Sequence, residues 1–391
     1  MKLPPALAAA ALATAAAVAF AATLPTMSAD AAAPTTGTLA AAAPTTSRAA
    51  AVSAKDTTAL AAPLPRVRHV FVINLENKGY DKTFRPGSHA PYLRKKLRGK
   101  GQLLSQYYGV AHHSLPNYIA QLSGQGPDPQ TQSDCHVFSN FIRSGTAVPG
   151  QAVGHGCVYP KTVRTVANQL TQHGLTWKGY MESMHSACRH PALNTTDRTQ
   201  KARVGDQYAA KHNPFVYFHS IIDSKKCAKR NVVLKKLPRD LAKVRTTANL
   251  TYITPNLCND AHDSPCVDGR KGGLVTANKW LKRWVPKILA SPAYQKNGLL
   301  IVTFDEADSG SADACCGEGP GPNSPLPGIT GLGGGRTGSV LVSPFIKRGS
   351  FNDTPYNHYS LLRTIENLFQ LKPLGYAADA RGFGIDVFGK T

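Results

Sequence analysis

Acidic side chains are scarce in this chain. Its 391 residues carry 45 Lys and Arg against 23 Asp and Glu. Residues 1–65 hold Lys2, Arg48, Lys55, Asp30 and Asp56, so of those 45 and 23 the remainder keeps 42 basic and 21 acidic residues. Such a field concentrates anionic partners: nucleic acid, anionic lipid headgroups, cell-wall polymers or phosphorylated metabolites. General surface charge without a specific partner is the plainer reading. An aromatic-interleaved basic module is missing, and clusters such as Arg94-Lys95-Lys96 and Lys225-Lys226 are scattered, which argues against specific nucleic-acid recognition. CxxC and HxxxH spacings are also missing, which argues against a zinc site. The run Gly333-Gly334-Gly335-Arg336-Thr337 lacks the G-x-x-x-x-G-K-[ST] spacing, so the Gly- and Pro-dense stretch 317–338 reads as a long loop rather than a phosphate loop. There is no internal repeat and no second linker.

The N-terminus comes out of fold reasoning first. Lys2 precedes an Ala-rich apolar run from Ala6 to about Leu24, and Ala29-Asp30-Ala31 offers a small-residue cleavage site. That pattern reads as a secretory signal peptide over residues 1–31, with a retained anchor as the alternative. Residues 32–65 are Ala, Thr, Pro and Ser with almost no large apolar side chain. Such a segment buries too little surface to offset its ordering entropy and reads as a disordered spacer. Residues 66–391 then form one large domain of a secreted protein. All eight cysteines lie after the spacer, and an even count in an exported chain favours disulfides. Cys258 and Cys266 are placed to close a short loop. Adjacent Cys315 and Cys316 are expected to pair with different partners. The irregular stretch 124–156 reads as a disulfide-held excursion over the site.

Short apolar runs alternate with helical patterns, which predicts βαβ units and a mostly parallel sheet. Continuous runs at His69–Leu75, Leu299–Phe304 and Ser339–Val342 fit strands buried on both faces. Leu175–Met181 and Leu250–Thr254 are further strands. Helices are expected at Thr165–His173, stopped by Gly174, at Leu274–Leu289, kinked at Pro286, and at Tyr359–Phe369 with Asn357 near its N-cap.

Ligands in open α/β sheets bind beyond the carboxyl ends of the strands. Polar clusters sit at those ends here: Glu76-Asn77, Asp305-Glu306, Glu182, and Asn256 with His262. Carboxylates gathered at one place repel unless a cation lies among them. Oxygen donors from Glu, Asn and Asp suit one divalent cation of the Mg, Ca or Mn type. Each pair alone reads equally well as a helix cap or surface turn; together they favour a metal site. Ser114-Leu115-Pro116-Asn117 reads as an N-cap, an early Pro and then a helix. A serine there faces free N–H groups where phosphate binds, and a nearby cation would activate its hydroxyl. A plain capping serine is the alternative. His262, in the polar loop Asn259-Asp260-Ala261-His262-Asp263, is a candidate to donate to a phosphate oxygen or to protonate a leaving alcohol. His358, before a helix, is a second such candidate, and either imidazole reads also as structural.

With Glu76-Asn77-Lys78-Gly79-Tyr80-Asp81, Ser114-Leu115-Pro116-Asn117-Tyr118, Trp177-Lys178-Gly179-Tyr180-Met181-Glu182, Asn259-Asp260-Ala261-His262-Asp263, Thr303-Phe304-Asp305-Glu306 and Asn357-His358-Tyr359-Ser360-Leu361-Leu362 in this order, the chain resembles the secreted phosphoesterase family of bacterial phospholipases C and acid phosphatases. The resemblance runs from about His69 to about Phe369. It implies an alkaline-phosphatase-like fold, a three-layer α/β/α sandwich with a mostly parallel central sheet. It implies a metal held by Glu76, Asn77, Ser114, Asp305 and Glu306, with Ser114 as nucleophile and a phosphoseryl intermediate. Asn117, His262 and His358 are expected to contact substrate. Where the phospholipase C branch has Arg after the Pro-Asn pair, this chain has Tyr118, so it is closer to the acid phosphatase branch, which includes actinobacterial phosphatidylinositol-3-phosphatases. The expectation is therefore a metal-dependent phosphomonoesterase, monomeric, acting on a phosphorylated small molecule or lipid headgroup. A phosphodiesterase and a non-catalytic binder of anionic cell-surface polymer are the alternatives, and electrostatic contact with an anionic membrane or cell wall fits the charge.

Overall fold

Seven consecutive apolar-dominated residues, His69-Val70-Phe71-Val72-Ile73-Asn74-Leu75, need cover on both faces, because successive strand side chains point to opposite sides. The computed structural model, which describes residues 64–389, supplies that cover. Val70 and Val72 enter one apolar cluster, and Phe71, Ile73 and Leu75 enter another on the opposite side. The signal-peptide reading for 1–31 and nearly all of the spacer reading for 32–65 lie outside the described residues.

The central sheet has eight strands: β1 (His69–Leu75), β2 (Gln102–Leu104), β3 (Trp177–Met181), β4 (Asn231–Val233), β5 (Leu250–Thr254), β6 (Gly298–Phe304), β7 (Ser339–Val342) and β8 (Ser350–Asn352). Their spatial order is β8-β2-β7-β6-β1-β5-β3-β4. Every pairing is parallel except the two made by β7. The helices that bear on the site are α1 (Tyr80–Phe84), α2 (Ser114–Ser123), α3 (Val166–Gln172), α4 (Gly273–Leu289) and α5 (His358–Phe369). Leu115, Ile119 and Leu122 of α2, Val166 and Leu170 of α3, and Leu361, Leu362 and Ile365 of α5 cover one face of the sheet. Leu274, Trp280, Leu281, Val285 and Ile288 of α4 cover the other. The result is the expected three-layer α/β/α arrangement with a mostly parallel sheet.

All five expected strands form, and the three expected helices form within a residue or two of their anticipated ends. Thr165 and Asn357 both cap their helices through reciprocal side-chain bonds with the third helical residue. Strands β2, β4 and β8 were not anticipated, since three-residue strands carry almost no periodic signal.

The cysteines pair as Cys135–Cys157, Cys188–Cys227, Cys258–Cys266 and Cys315–Cys316. The last pairing overturns the expectation of separate partners for Cys315 and Cys316. A tight turn explains it: the backbone N–H groups of both neighbours donate to the same Glu318 oxygen, at 3.0 and 2.6 Å. The Cys135–Cys157 bridge ties down the 124–156 excursion, whose second half is a hairpin of Ile142–Ala147 with Gln151–His155. The glycine run 333–335 packs against residues 109–111, where a Cβ on Gly334 would meet the Ala111 carbonyl oxygen at 2.4 Å. Close approach of two backbones thus accounts for that glycine.

Candidate active site

The register of β1 against β6 builds the site. Leu75 lies opposite Phe304, so the next residues, Glu76 and Asp305, leave the sheet side by side. The Asp305 N–H donates to the Leu75 carbonyl at 2.9 Å, and the Asn77 N–H donates to Asp305 Oδ1 at 3.0 Å. Asn77 takes a positive φ of 56°, a turn that Asn tolerates better than most residues. On the other side of β1, the loop after β5 folds back so that the Glu76 N–H donates to the Asp260 carbonyl at 2.8 Å. Three strands thereby deliver Glu76, Asp305 and Asp260 to one place, all fully buried.

Helix α2 supplies the hydroxyls. Ser114 is its first residue rather than its cap, which is His113. Its Oγ donates to Glu76 Oε2 at 2.8 Å. One turn later, on the same helix face, the Tyr118 hydroxyl donates to Glu76 Oε1. Both carboxylate oxygens of Glu76 are therefore addressed by α2. The helix start is fixed by Asp134, whose Oδ1 accepts from the Leu115 N–H at 3.0 Å and whose Oδ2 accepts from the buried Lys211 ammonium at 2.8 Å.

His212, which sequence reasoning passed over, is buried between two of these acids. Its Nδ1 lies 3.1 Å from Asp260 Oδ2, and its Nε2 lies 3.3 Å from Glu76 Oε2 but out of line for a hydrogen bond. Its ring stacks on Tyr118 with centroids 5.4 Å apart and planes 6° from parallel. Burial holds the imidazole well below its usual range, and the Lys211 and His262 charges push the same way. The only sequence signal for it was a polar Lys211-His212-Asn213 inside an apolar stretch. Asp260 stood within a noticed motif whose histidine alone was singled out.

The carboxylates are strained electrostatically. Burial raises Glu76, and the like charges of Asp305 and Asp260 raise it further. Burial likewise raises Asp305 and Asp260. Asp305 Oδ2 is buried without any hydrogen-bond partner. Donor atoms of Glu76, His212 and Asp260 lie within 4.8 Å of one another. An orphaned carboxylate oxygen among mutually repelling acids fits a hard divalent cation, whose charge removes both penalties.

The remaining expected residues fall in distinct places. Glu306 is buried, and its Oε2 is engaged by His112 Nδ1, while His112 Nε2 faces the Ser311 carbonyl at 3.0 Å. Burial pushes Glu306 up and His112 pulls it back; burial would lower His112, but the Glu306 bond and charge raise it. His262 is half-buried, with its Nδ1 2.8 Å from Asp263 Oδ1 and its ring 5.5 Å from that of His212. Glu182 accepts from the Asn256 N–H and the Asn259 amide, so it braces the 256–260 loop.

Two residues expected to touch substrate bond to the backbone beside the site. The Asn117 amide accepts from the Val110 and Ala111 N–H groups and donates to the Ala111 and His113 carbonyls. All its bonding capacity goes to the backbone leading into Ser114. His358 is fully buried behind the site, with Nε2 on the Asp305 carbonyl oxygen and Nδ1 near the Tyr107 hydroxyl and the Gln121 amide. Burial lowers it to about 4, against the pull of the Asp305 carbonyl. Both side chains hold backbone next to Ser114 and Asp305.

The model of the Phosphoesterase family matches residues 86–372, which include Ser114, Asp260, His262, Asp305 and Glu306 and leave Glu76-Asn77 just upstream. The chain is 27% identical over 287 residues to the phosphate-repressible acid phosphatase of Penicillium chrysogenum, covering 72% of this chain and 55% of that protein. It is 25% identical over 320 residues to the phosphatidylinositol-3-phosphatase of Mycobacterium tuberculosis, covering 82% of this chain and 83% of that protein. The chain spans about half the length of the fungal acid phosphatases it matches. A crystal structure of a protein in the alkaline phosphatase superfamily from Vibrio parahaemolyticus overlaps 82% of this chain and 73% of that one, with a TM-score of 0.45 at 11% identity.

Proposed function

Because the chain belongs to the Phosphoesterase family, we propose that it is a metal-dependent phosphomonoesterase of the acid phosphatase type, working through a phosphoserine. The observation that carries this reading is the 2.8 Å bond from Ser114 Oγ to Glu76 Oε2, made where two adjacent parallel strands end. The names of the similar proteins, acid phosphatase and phosphatidylinositol-3-phosphatase, support a phosphate monoester as substrate. We place the protein outside the cytoplasm, because its four disulfides fit an oxidising compartment.

The residues take these roles. A divalent cation of the Mg, Ca or Mn type, held by Glu76, Asn77, Ser114, Asp305 and the free oxygen of Glu306, would supply the charge that acidifies the serine hydroxyl and offsets the phosphate. Ser114 Oγ attacks phosphorus in line, its proton leaving along the bond to Glu76 Oε2. Asp134 and Asn117 hold the start of α2 and the backbone before it, so the hydroxyl does not have to be reoriented. His262 has Nδ1 fixed by Asp263, which leaves Nε2 as the nitrogen for a phosphate oxygen or for protonating the departing alcohol. Water then displaces the phosphoryl group from Ser114.

The test sets p-nitrophenyl phosphate beside a phosphatidylcholine diester, each with and without chelator. The wild type should hydrolyse the monoester only with divalent cation present, and Ser114→Ala should lower kcat by at least about three orders of magnitude, as loss of a covalent nucleophile does. Full activity in Ser114→Ala would remove Ser114 from its role. Preference for the diester would assign the phosphodiesterase reading.

A further inference from the structure

Beside the active site lies a cavity of about 740 Å³. Two of the site's own loops border it. Lys78 directly follows Asn77, and its ammonium donates to the Asn77 carbonyl at 3.0 Å. Ser264 directly follows Asp263, the partner of His262. The far walls are the segment after α1 and the start of α4.

The lining is cationic. Lys78, Lys82, Arg85 and Lys271 face a single acid, Asp81. That acid is already shared between Arg85 at 3.0 Å and Arg336 at 3.4 Å, and Lys82 is paired with Asp308 at 2.7 Å. Among the described residues, no carboxylate lies within ion-pair distance of Lys78 or Lys271. The start of α4 adds to the field. Gly272 precedes the helix with no side-chain cap, and its first turn holds no acid. A Cβ on Gly272 would meet the Asp263 carbonyl oxygen at 2.0 Å, so glycine is what lets this helix end press against the loop that carries His262. Two ammonium groups without a carboxylate partner, Lys78 and Lys271, beside a helix N-terminus are the chemistry that holds a phosphate or carboxylate. Nothing in the hydrolytic step uses it.

We propose that this cavity is a second-anion subsite: it takes a further phosphate, or another anionic group, carried by the part of the substrate that leaves. The inference rests on the phosphomonoesterase reading and narrows it to substrates bearing at least two anionic groups. Such a group could stand on a soluble bisphosphate or be the diester of a phosphoinositide headgroup. Lys271 is the residue to test, because it is exposed and touches none of the proposed metal ligands.

The experiment compares wild type, Lys271→Ala and, as a control at the opposite end of the sheet, Lys226→Ala. Three substrates are used with saturating divalent cation: p-nitrophenyl phosphate, fructose 1,6-bisphosphate, and dioctanoyl phosphatidylinositol 3-phosphate below its micelle concentration. Lys271→Ala should raise KM for the bisphosphate or the lipid by about tenfold with kcat little changed, as loss of one charge-assisted contact does. It should leave p-nitrophenyl phosphate unchanged, and Lys226→Ala should leave all three unchanged. Loss on both doubly anionic substrates, or on one, supports the subsite and identifies the carrier. Equal changes on all three substrates, or no change on any, would overturn it. If the wild type turns over none of them, the phosphomonoesterase reading fails, and calorimetry decides the subsite separately. Fructose 1,6-bisphosphate should then bind the wild type more tightly than fructose 6-phosphate, and Lys271→Ala should abolish that advantage. Equal binding of the two sugars would refute the subsite.

Discussion

Removing one oxygen atom from Tyr118 tests the cation site without replacing a proposed ligand or the nucleophile. Tyr118 is fully buried, its hydroxyl donates to Glu76 Oε1, and its ring stacks on His212. Tyr118→Phe keeps the ring and the stack and deletes only the donor. A hydrogen bond to a charged acceptor is worth about 1.5–3 kcal/mol. At about 1.4 kcal/mol per tenfold, its loss should weaken cation binding by roughly ten- to hundredfold. The direction follows from which form of Glu76 is stabilised. The hydroxyl stabilises the ionised carboxylate against burial and against Asp305 and Asp260, and the ionised form is the one that binds a cation. The Ser114 bond to the other oxygen stays intact, so kcat at saturating cation should return to within a fewfold of wild type. The assay is p-nitrophenyl phosphate hydrolysis titrated with Mg²⁺, Ca²⁺ and Mn²⁺ in separate series from metal-stripped enzyme. An unchanged half-saturating concentration would refute the claim that Tyr118 tunes the site. A loss of kcat that cation does not restore would show that Tyr118 acts on the reaction instead.

Two further outcomes follow from groups away from the phosphate. His358 is held at about 4 in the fold, against about 6.5 in an unfolded chain, so between those values only the unfolded state binds the proton. Stability should therefore be fully present above about pH 6.5 and fall by about 3 kcal/mol as pH drops to about 4. Urea denaturation of His358→Gln, which never charges, should lack this share of the acid loss; parallel curves for wild type and variant would contradict it. The Cys135–Cys157 bridge closes a loop with a sequence separation of 22 residues. Its removal in Cys135→Ser/Cys157→Ser should cost about 3 kcal/mol by loop entropy and lower the urea midpoint, whereas an unchanged midpoint would show that the excursion is held by its other contacts.

What the sequence revealed was set by length and continuity. Strands β1 and β6 are seven residues each, apolar on both faces, and are followed directly by Glu76 and Asp305, so the two acids at the centre of the candidate site were legible. Helix α3 was legible from its Gly174 stop, and α5 from its apolar stripe with Asn357 near its N-cap; the reciprocal caps then fix where each begins. Strands β2, β4 and β8 were not, because three residues give no period to read. Asp260 and His212 were missed for a different reason. Asp260 reaches the site only because its loop doubles back to pair with the Glu76 backbone, across 184 residues of chain. His212 belongs to a short 3-10 turn whose place is fixed by stacking on Tyr118 and bonding to Asp260. Neither contact leaves a local pattern.

The same limit applies to Asn117 and His358. Both lie beside the candidate site, but residue type does not say whether an amide or imidazole turns toward ligand or toward backbone. Burial decides it. A fully buried Asn has to satisfy its donors and acceptors, and the nearest groups are the free N–H and C=O groups of the 110–113 turn. His358 meets the same demand by taking the Asp305 carbonyl that ends β6. Each therefore fixes the backbone on one side of the bond between Ser114 and Glu76 or of the carboxylate beside it. The β1–β6 register works at a larger scale to the same end. A slip of one residue would turn Glu76 or Asp305 to the opposite face of the sheet. The proposed chemistry thus needs, besides the acids, three constraints that aim them: the strand register, the turn held by Asn117 and the strand end held by His358.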